Sequence, residues 1–193
     1  YLGDLDAARA AYQRSLDSAR RLGLRKEEAI QLNNLANVEA AQDRDEEAIA
    51  LYRTALALRE QLDDRSGMAS THANLADLLR SQNRDAQARE LMLQVLKFAP
   101  DNGPTLHALG LLETRSGQPE AALKYLQQAA ALETAGTRHR FVYGIALHDL
   151  GHPDEAIEQL QSLLRSVPQS EEVLLALANY SAELGQRDKA LGY

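Results

Sequence analysis

Alanine recurs at a regular place along the chain, and this recurrence limits the fold more than any other feature of the sequence. The series is Ala8, Ala48, Ala88, Ala122, Ala156 and Ala190, in which two longer steps are followed by three shorter, equal ones. Five residues before each alanine lies a residue that tolerates the left-handed conformation ending a helix: Gly3, Asp43, Asn83, Gly117, Gly151 or Gly185. Self-similarity at such a period indicates a stack of repeated helical units.

Small and large side chains keep a constant distance from these alanines. Twelve residues before the last five alanines, a small residue follows a larger one: Leu35-Ala36, Leu75-Ala76, Leu109-Gly110, Tyr143-Gly144 and Leu177-Ala178. Four residues after the first five alanines comes Tyr12, Tyr52, Met92, Leu126 or Leu160. We therefore expect two helices in each repeat, which approach closely at the small residues while the large ones fill the space between neighbours.

The composition favours helices and argues against several functions. The chain has 34 Leu and 32 Ala but only nine Val and Ile together, and β-branched residues are the ones that strands prefer. A net charge of −7 argues against non-specific binding to nucleic acid or anionic membranes. Without cysteine, the chain forms no disulfide and no thiolate metal site.

Targeting signals are not visible in the sequence. No apolar run approaches the ~20 residues of a membrane span, and no signal peptide is seen. Because the chain opens at Tyr1, we expect it to be a fragment or a processed product. The compartment stays unknown, with the cytoplasm slightly favoured over the periplasm.

The motifs together resemble the tetratricopeptide repeat, a helix–turn–helix unit of about 34 residues. Leu109-Gly110, the alanines followed four residues later by a large side chain, and the closing Pro100 and Pro168 match its pattern. The resemblance covers essentially the whole chain. It implies an all-α fold, a right-handed superhelical solenoid of antiparallel helix pairs. The departures are local, since the usual first-helix tyrosine is replaced by Glu39, Leu79, Glu113, Leu147 and Ser181.

The resemblance predicts a single array over residues 1–193. It comprises the second helix of a first repeat (1–25), a long repeat (26–65), repeats 66–102, 103–136 and 137–170, and a partial repeat (171–193). First helices are predicted over 26–41, 66–81, 104–115, 138–149 and 171–184. Second helices are predicted over 5–22, 45–62, 85–98, 119–132, 153–166 and from 187 to the end. The six extra residues of the longer spacing should lengthen both helices of a repeat.

Two subfamilies share features with different parts of the array. The long repeats, with the segment Leu32 to Ala36, resemble those of kinesin light chains. The later repeats, through the segment Phe141 to His148, are similar to arrays attached to bacterial multihaem cytochromes.

Catalytic and metal-binding patterns are missing from the sequence. There is no Gly-rich phosphate loop, no His-Glu-x-x-His motif and no nucleophile elbow. His148 and His152 are four residues apart, but Gly151 breaks the helical register between them, which favours solvated surface histidines over metal ligands. We therefore predict no enzymatic activity, no cofactor and no metal.

The resemblance places ligand binding on the first helices, which line the concave groove in this family. Asparagine can pair with any extended peptide backbone, because its amide both donates and accepts. An apolar patch ringed by cationic groups favours a peptide with a hydrophobic anchor and acidic flanks. The groove-facing candidates are Asn33, Asn37, Asn74, Asp77, Arg80, His107, Leu111, Arg115, Arg138, Phe141 and Ile145.

Two other interpretations of these residues stay open. The asparagines could simply cap or bridge helices, and Leu111 and Ile145 could be partly buried between adjacent first helices. The family's carboxylate clamp for chaperone C-termini needs lysine and asparagine at sites that hold Asn33, Asn37, Asn74, Pro104 and Ala108 in this sequence. Because the lysines are missing there, chaperone tails are not the predicted ligand.

We predict a protein–protein interaction scaffold that binds a peptide segment and no nucleic acid or membrane. The alternative is a regulatory or targeting arm of a larger enzyme or cytochrome. A third is self-association through the solenoid ends, where Leu177, Leu184 and Leu191 are expected to be incompletely covered.

Overall fold

The computed structural model describes residues 2–132 and 136–193, and the described part of the chain is helical throughout, with short connections. The helices are α1 (Leu2–Arg21), α2 (Arg25–Ala41), α3 (Asp45–Gln61), α4 (Arg65–Ser81), α5 (Asp85–Phe98), α6 (Gly103–Arg115), α7 (Pro119–Ala131), α8 (Thr137–Asp149), α9 (Pro153–Ser166), α10 (Glu171–Glu183) and α11 (Arg187–Ala190). The predicted bounds differ from these by one residue at most, except at α1 and α11.

The predictions at the two outermost helices were wrong in detail. α1 begins at Leu2, so Gly3 lies inside a helix and not in a turn, since no helix precedes it among the described residues. α11 ends at Ala190 and does not run to the end of the chain, because Gly192 follows it and glycine disfavours continuation of a helix.

The chain divides into two compact units. Unit 1 comprises Tyr1–Pro100 and contains α1 to α5, and unit 2 comprises Asp101–Tyr193 and contains α6 to α11. Within each unit the helices pack as consecutive pairs, α2 with α3 and α4 with α5 in unit 1, and α6 with α7 and α8 with α9 in unit 2. The first helices of successive repeats also touch, α2 with α4 and α8 with α10.

The longer repeat spacing in unit 1 arises from two equivalent turns in each repeat. Left-handed backbone angles occur at Gly23, Asp43, Asp63 and Asn83, at equal intervals along the chain. Between each two successive left-handed residues lies one helix of 17 residues, which is α2, α3 or α4 in turn. The prediction that both helices of the long repeat are lengthened is confirmed, since α6, α7 and α8 have 13 residues each.

The predicted left-handed turn residues are confirmed at all five positions outside α1. Asp43 and Asn83 have φ of 58° each, and Gly117, Gly151 and Gly185 have φ between 69° and 89°. In unit 2 these turns lie one whole repeat apart, and among the described residues of this unit the left-handed conformation occurs at the turns inside the repeats.

Small residues allow the two helices of a repeat to approach closely, as the sequence predicts. A Cβ added at Gly110 would lie 2.5 Å from Cγ of Leu126, and one added at Gly144 would lie 2.7 Å from Cδ2 of Leu160. The alanines of the opposing helices are completely buried at Ala122 and Ala156. The helix interfaces therefore have no room for larger side chains at these positions.

The five positions where the sequence departs from the usual tyrosine are all buried. At the first of them the buried group is a carboxylate. Glu39 is 4% exposed and bonds to Arg44, which lies in the following turn, and to Arg9 of α1, with 2.6 Å between Arg9 Nε and Glu39 Oε1. A buried carboxylate is tolerated here because two guanidinium groups satisfy it.

The C-terminal residues are covered unequally. Leu191 is 87% exposed and Leu184 is 37% exposed, as predicted, but Leu177 is fully buried. The prediction for Leu177 was wrong because its side chain joins the core that Leu147, Leu160 and Val173 form. Among the described residues, no helix has both the length and the apolar character needed to cross a membrane.

Candidate functional site

In unit 1 the predicted asparagines join the first helices of neighbouring repeats. Asn33 of α2 is buried, and its Oδ1 accepts hydrogen bonds from Thr71 Oγ1 at 3.0 Å and from Asn74 Nδ2 at 3.3 Å, both on α4. Asn33 therefore bridges two helices and has little surface left to offer a ligand. Asn74 is held in place by this bond, in which it acts as the donor, and its own carbonyl oxygen remains an acceptor.

A cleft of about 340 Å³ lies beside this bridge. Its described lining residues come from three helices: Asn37 and Ala40 of α2, Tyr52 of α3, and Asn74, Asp77, Leu78 and Ser81 of α4. We call it the unit-1 cleft. Tyr52 is almost completely buried and forms the floor, where its hydroxyl donates to Asn37 Oδ1 at 2.5 Å. Three of the predicted candidates, Asn37, Asn74 and Asp77, thus line one cavity.

The electrostatic character of the unit-1 cleft is set by Asp77. Burial, together with the negative charge of Asp77, raises the pKa of the Tyr52 hydroxyl to about 12, so this group stays protonated at neutral pH. Asp77 Oδ1 lies 3.4 Å from Nη2 of Arg80, one helical turn further along α4. Both side chains are largely exposed, so this ion pair contributes at most about 1 kcal/mol.

In unit 2 the predicted candidates lie on α6 and α8. The rings of His107 on α6 and His139 on α8 meet edge to face, with 4.8 Å between their centroids. The Nδ1 atoms of both rings are buried without a hydrogen-bond partner among the described residues. Burial lowers the pKa of His107, and the positive charges of His139 and Arg138 lower it further. These influences favour the neutral form of His107, and its ring contact with His139 joins two first helices.

The apolar candidates of unit 2 differ in how far they are buried. Leu111 is 43% exposed, whereas Phe141 and Ile145 are half-buried and pack against the core that includes Leu147 and Leu160. Arg115 and Arg138 are exposed at the end of α6 and the start of α8. Leu111 is thus the most accessible apolar member of the predicted patch.

Comparison with protein families agrees with the observed helix pairs and turns. Models described as tetratricopeptide repeat match residues 27–101 and residues 114–180, together more than half of the chain. The chain belongs to the tetratricopeptide repeat family. Proteins of this family are generally non-catalytic repeat scaffolds that bind other proteins or peptides.

Several solved structures are similar to most of the chain. YrrB, described as a TPR protein with an unusual peptide-binding site, is 26% identical with a TM-score of 0.70, covering 94% of this chain and 88% of its own. BtubC (BKLC) from P. vanneervenii is 19% identical with a TM-score of 0.77, covering 97% and 87%. MamA is 20% identical with a TM-score of 0.67, covering 81% and 88%. No curated protein sequence matches the chain.

One cluster on the first helices of the later tetratricopeptide repeats was not anticipated. The sequence favours a solvated surface position for His148, whereas the structure stacks its ring on Tyr180 of α10, with 3.6 Å between the centroids. Nε2 of His148 lies 2.8 Å from Glu183 Oε2. Spacing could not identify Tyr180 and Glu183 as partners, because the contact depends on how α8 and α10 are rotated against each other.

The two histidines that lie four residues apart in the sequence have different partners in the structure. Nδ1 of His152 lies 3.0 Å from Glu155 Oε1 in the next helix, whereas His148 bonds to α10. Across the described ranges, no group of three or more His, Cys, Asp or Glu side chains is placed to hold a metal ion.

Proposed function

We propose that this tetratricopeptide array is a non-catalytic scaffold that binds peptide segments on its first helices. The observation that carries the proposal is the unit-1 cleft, where amide groups of Asn37 and Asn74 line a cavity whose floor is fixed by Tyr52. The Nδ2 group of Asn37 and the Oδ1 atom of Asn74 provide a donor and an acceptor for a peptide backbone. The likeness to YrrB, whose description includes a peptide-binding site, supports the same function.

Unit 2 supplies a different chemistry for the same purpose. Leu111 on α6 offers exposed apolar surface, and Phe141 and Ile145 on α8 offer half-buried apolar surface. Arg115 and Arg138 carry positive charge on the same pair of helices. We expect this face to accept a hydrophobic anchor residue, with acidic neighbours in the ligand meeting the arginines.

The repeat type belongs to this proposal as well. The 17-residue helices of unit 1 and their evenly spaced left-handed turns favour the long repeats of kinesin light chains and related cargo adaptors. In unit 2 the segment Phe141 to His148 is the basis for a likeness to arrays attached to bacterial multihaem cytochromes. Function as the targeting arm of a larger protein is compatible with a scaffold role for the array itself.

Self-association is a second candidate. Leu175, Leu184 and Leu191 are exposed by 64%, 37% and 87% on α10 and after α11. Apolar side chains this accessible favour contact with another copy. Light scattering over a range of protein concentrations tests this, and a constant monomer mass would contradict it.

The peptide-binding proposal is tested by selecting peptides from a display library and measuring their affinities for variants. Leu111→Ala should weaken anchor-containing peptides by at least about tenfold, and Arg138→Glu should slow the association of acidic peptides. Asn37→Ala should weaken every peptide bound through its backbone in unit 1. Arg53→Ala and Gln127→Ala, on exposed positions of second helices, serve as controls.

Phe141→Ala is a weaker test, because its side chain also packs against the core and its loss lowers stability. Circular dichroism should show that the other variants remain folded. If all of the first-helix variants bind the selected peptides like the wild type, the first helices do not carry the interaction.

A further inference from the structure

The unit-1 cleft presents several hydrogen-bond acceptors, and three of the donors on its side chains are already occupied. The hydroxyl of Tyr52 donates to Asn37, and the hydroxyl of Ser81 donates to the carbonyl oxygen of Leu78 at 2.7 Å. The amide nitrogen of Asn74 donates to Asn33. The oxygens of Tyr52, Asn74 and Ser81 keep free lone pairs as a result.

A carboxylate completes this set of acceptors. Asp77 is 62% exposed and lines the same cleft, and its charge reaches the hydroxyl of Tyr52 on the floor. Of the described residues that line the cleft, none is basic. The cation that faces Asp77 is Arg80, which contacts its Oδ1 atom and leaves Oδ2 for a ligand.

We propose that the unit-1 cleft binds the cationic side chain of a lysine or arginine in the bound peptide. The proposal rests on the peptide-binding function proposed above and adds the chemical class of the residue recognised in unit 1. An ammonium group carries three N–H donors and no acceptor, and a guanidinium group carries five. Either group matches a cleft that has several oxygen acceptors and one carboxylate, with the amide nitrogens of Asn37 and Asn74 as its remaining donors.

Arg80 is then a competitor of the ligand and not part of its binding site. A ligand cation would share Asp77 with Arg80, and the two positive charges would repel each other. Removal of Arg80 should therefore tighten the binding of a cationic peptide. If the cleft instead bound an acidic ligand, removal of Arg80 would weaken the binding.

The test uses pentapeptides of the form acetyl-Gly-Gly-Xaa-Gly-Gly-amide, titrated into isotopically labelled protein and followed by nuclear magnetic resonance. Xaa is arginine, lysine, citrulline, norleucine or glutamate. Citrulline has nearly the shape of arginine without its charge, and norleucine has the aliphatic chain of lysine without its ammonium group. The protein variants are Asp77→Asn, Arg80→Gln and, as a matched loss of one exposed carboxylate on α3, Glu47→Gln.

The proposal predicts that the arginine and lysine peptides shift signals of α2 and α4 around the cleft, whereas the citrulline and norleucine peptides do not. Asp77→Asn should weaken the cationic peptides at least about fivefold, Arg80→Gln should tighten them about twofold, and Glu47→Gln should change neither. Equal binding of arginine and citrulline peptides, or an unchanged affinity in Asp77→Asn, would overturn the proposal.

The outcome is separable from that of the proposed function. If library-selected peptides bind the wild-type protein and bind Asp77→Asn with the same affinity, the cation assignment is overturned and peptide binding is left intact. If no pentapeptide shifts any signal at the cleft, the cation assignment is also overturned, and the library affinities decide peptide binding independently.

Discussion

At the scale of single residues, the paired helices approach closely at Gly110 because glycine has no Cβ atom. Gly110→Ala would place a Cβ 2.5 Å from Leu126 Cγ, so we expect a loss of about 1–3 kcal/mol from overpacking. This loss should exceed the gain of up to about 1 kcal/mol that alanine brings to a helix. Gly136→Ala is the control, because an added Cβ there meets nothing within 4 Å and φ is −66°. Thermal unfolding that is equal in the two variants would contradict the observed packing.

The carboxyl of Glu39 links the stability of unit 1 to pH. Burial by itself raises the pKa of this group, but hydrogen bonds from Arg9 and Arg44 outweigh burial and hold the pKa below its ordinary value. A carboxyl with a lowered pKa in the folded state stabilises the protein above its unfolded pKa, and this contribution is lost as the pH falls through the folded pKa.

Glu39→Gln should therefore cost about 1–3 kcal/mol at neutral pH, and the difference from the wild type should shrink on acidification. Thermal unfolding measured between about pH 3 and pH 7 tests this, with Glu47→Gln as an exposed control. A difference between Glu39→Gln and wild type that stays constant over this range would show that ionisation of Glu39 is not responsible.

At the scale of helices, α2 and α4 are joined by a buried polar contact. Thr71 is fully buried, and its hydroxyl donates to Asn33. Thr71→Val keeps the shape but removes this donor, so we expect a loss of about 1–2 kcal/mol and faster hydrogen exchange in α4. Ser70→Ala removes an exposed hydroxyl from the same helix and should have little effect. Unchanged exchange in Thr71→Val would mean that the bridge does not couple the helices.

The sequence predicts helices and turns better than it predicts contacts between helices. Asp43, Asn83 and Gly117 mark their turns because the left-handed conformation restricts which residues occur there. The bond between Tyr52 and Asn37 and the ring contact between His107 and His139 were not predictable. These contacts depend on side-chain rotamers and on helix rotation, which a pattern of spacings does not determine.

Burial of the candidate residues also depends on contacts between helices that the spacing does not predict. Spacing within the repeat identified Asn33 and Asn37 as residues of the same helix face, yet one is buried in a bridge and the other lines the cleft. The difference arises because Thr71 and Asn74 of the next repeat reach Asn33. A sequence of one repeat does not contain that information, whereas the stacked helices do.

At the scale of the whole molecule, the two units carry different chemistry on equivalent helices. The first helices of unit 1 present amides and a carboxylate, and those of unit 2 carry the exposed residues Leu111, Arg115 and Arg138. If peptides bind these faces as proposed, we expect loss of one contact to weaken binding without abolishing it.

We propose that the first helices of the repeats carry the interaction. Site-specific photo-crosslinking is the most direct test of this proposal. A photoreactive phenylalanine analogue is placed at Asn37 or Leu111 on first helices, and at Arg53 or Gln127 on second helices, all of which are exposed. The protein is then irradiated in a cell extract or with library-selected peptides. We expect ligand crosslinks from Asn37 and from Leu111, and none from Arg53 or Gln127. Crosslinking from the second-helix positions alone would contradict it.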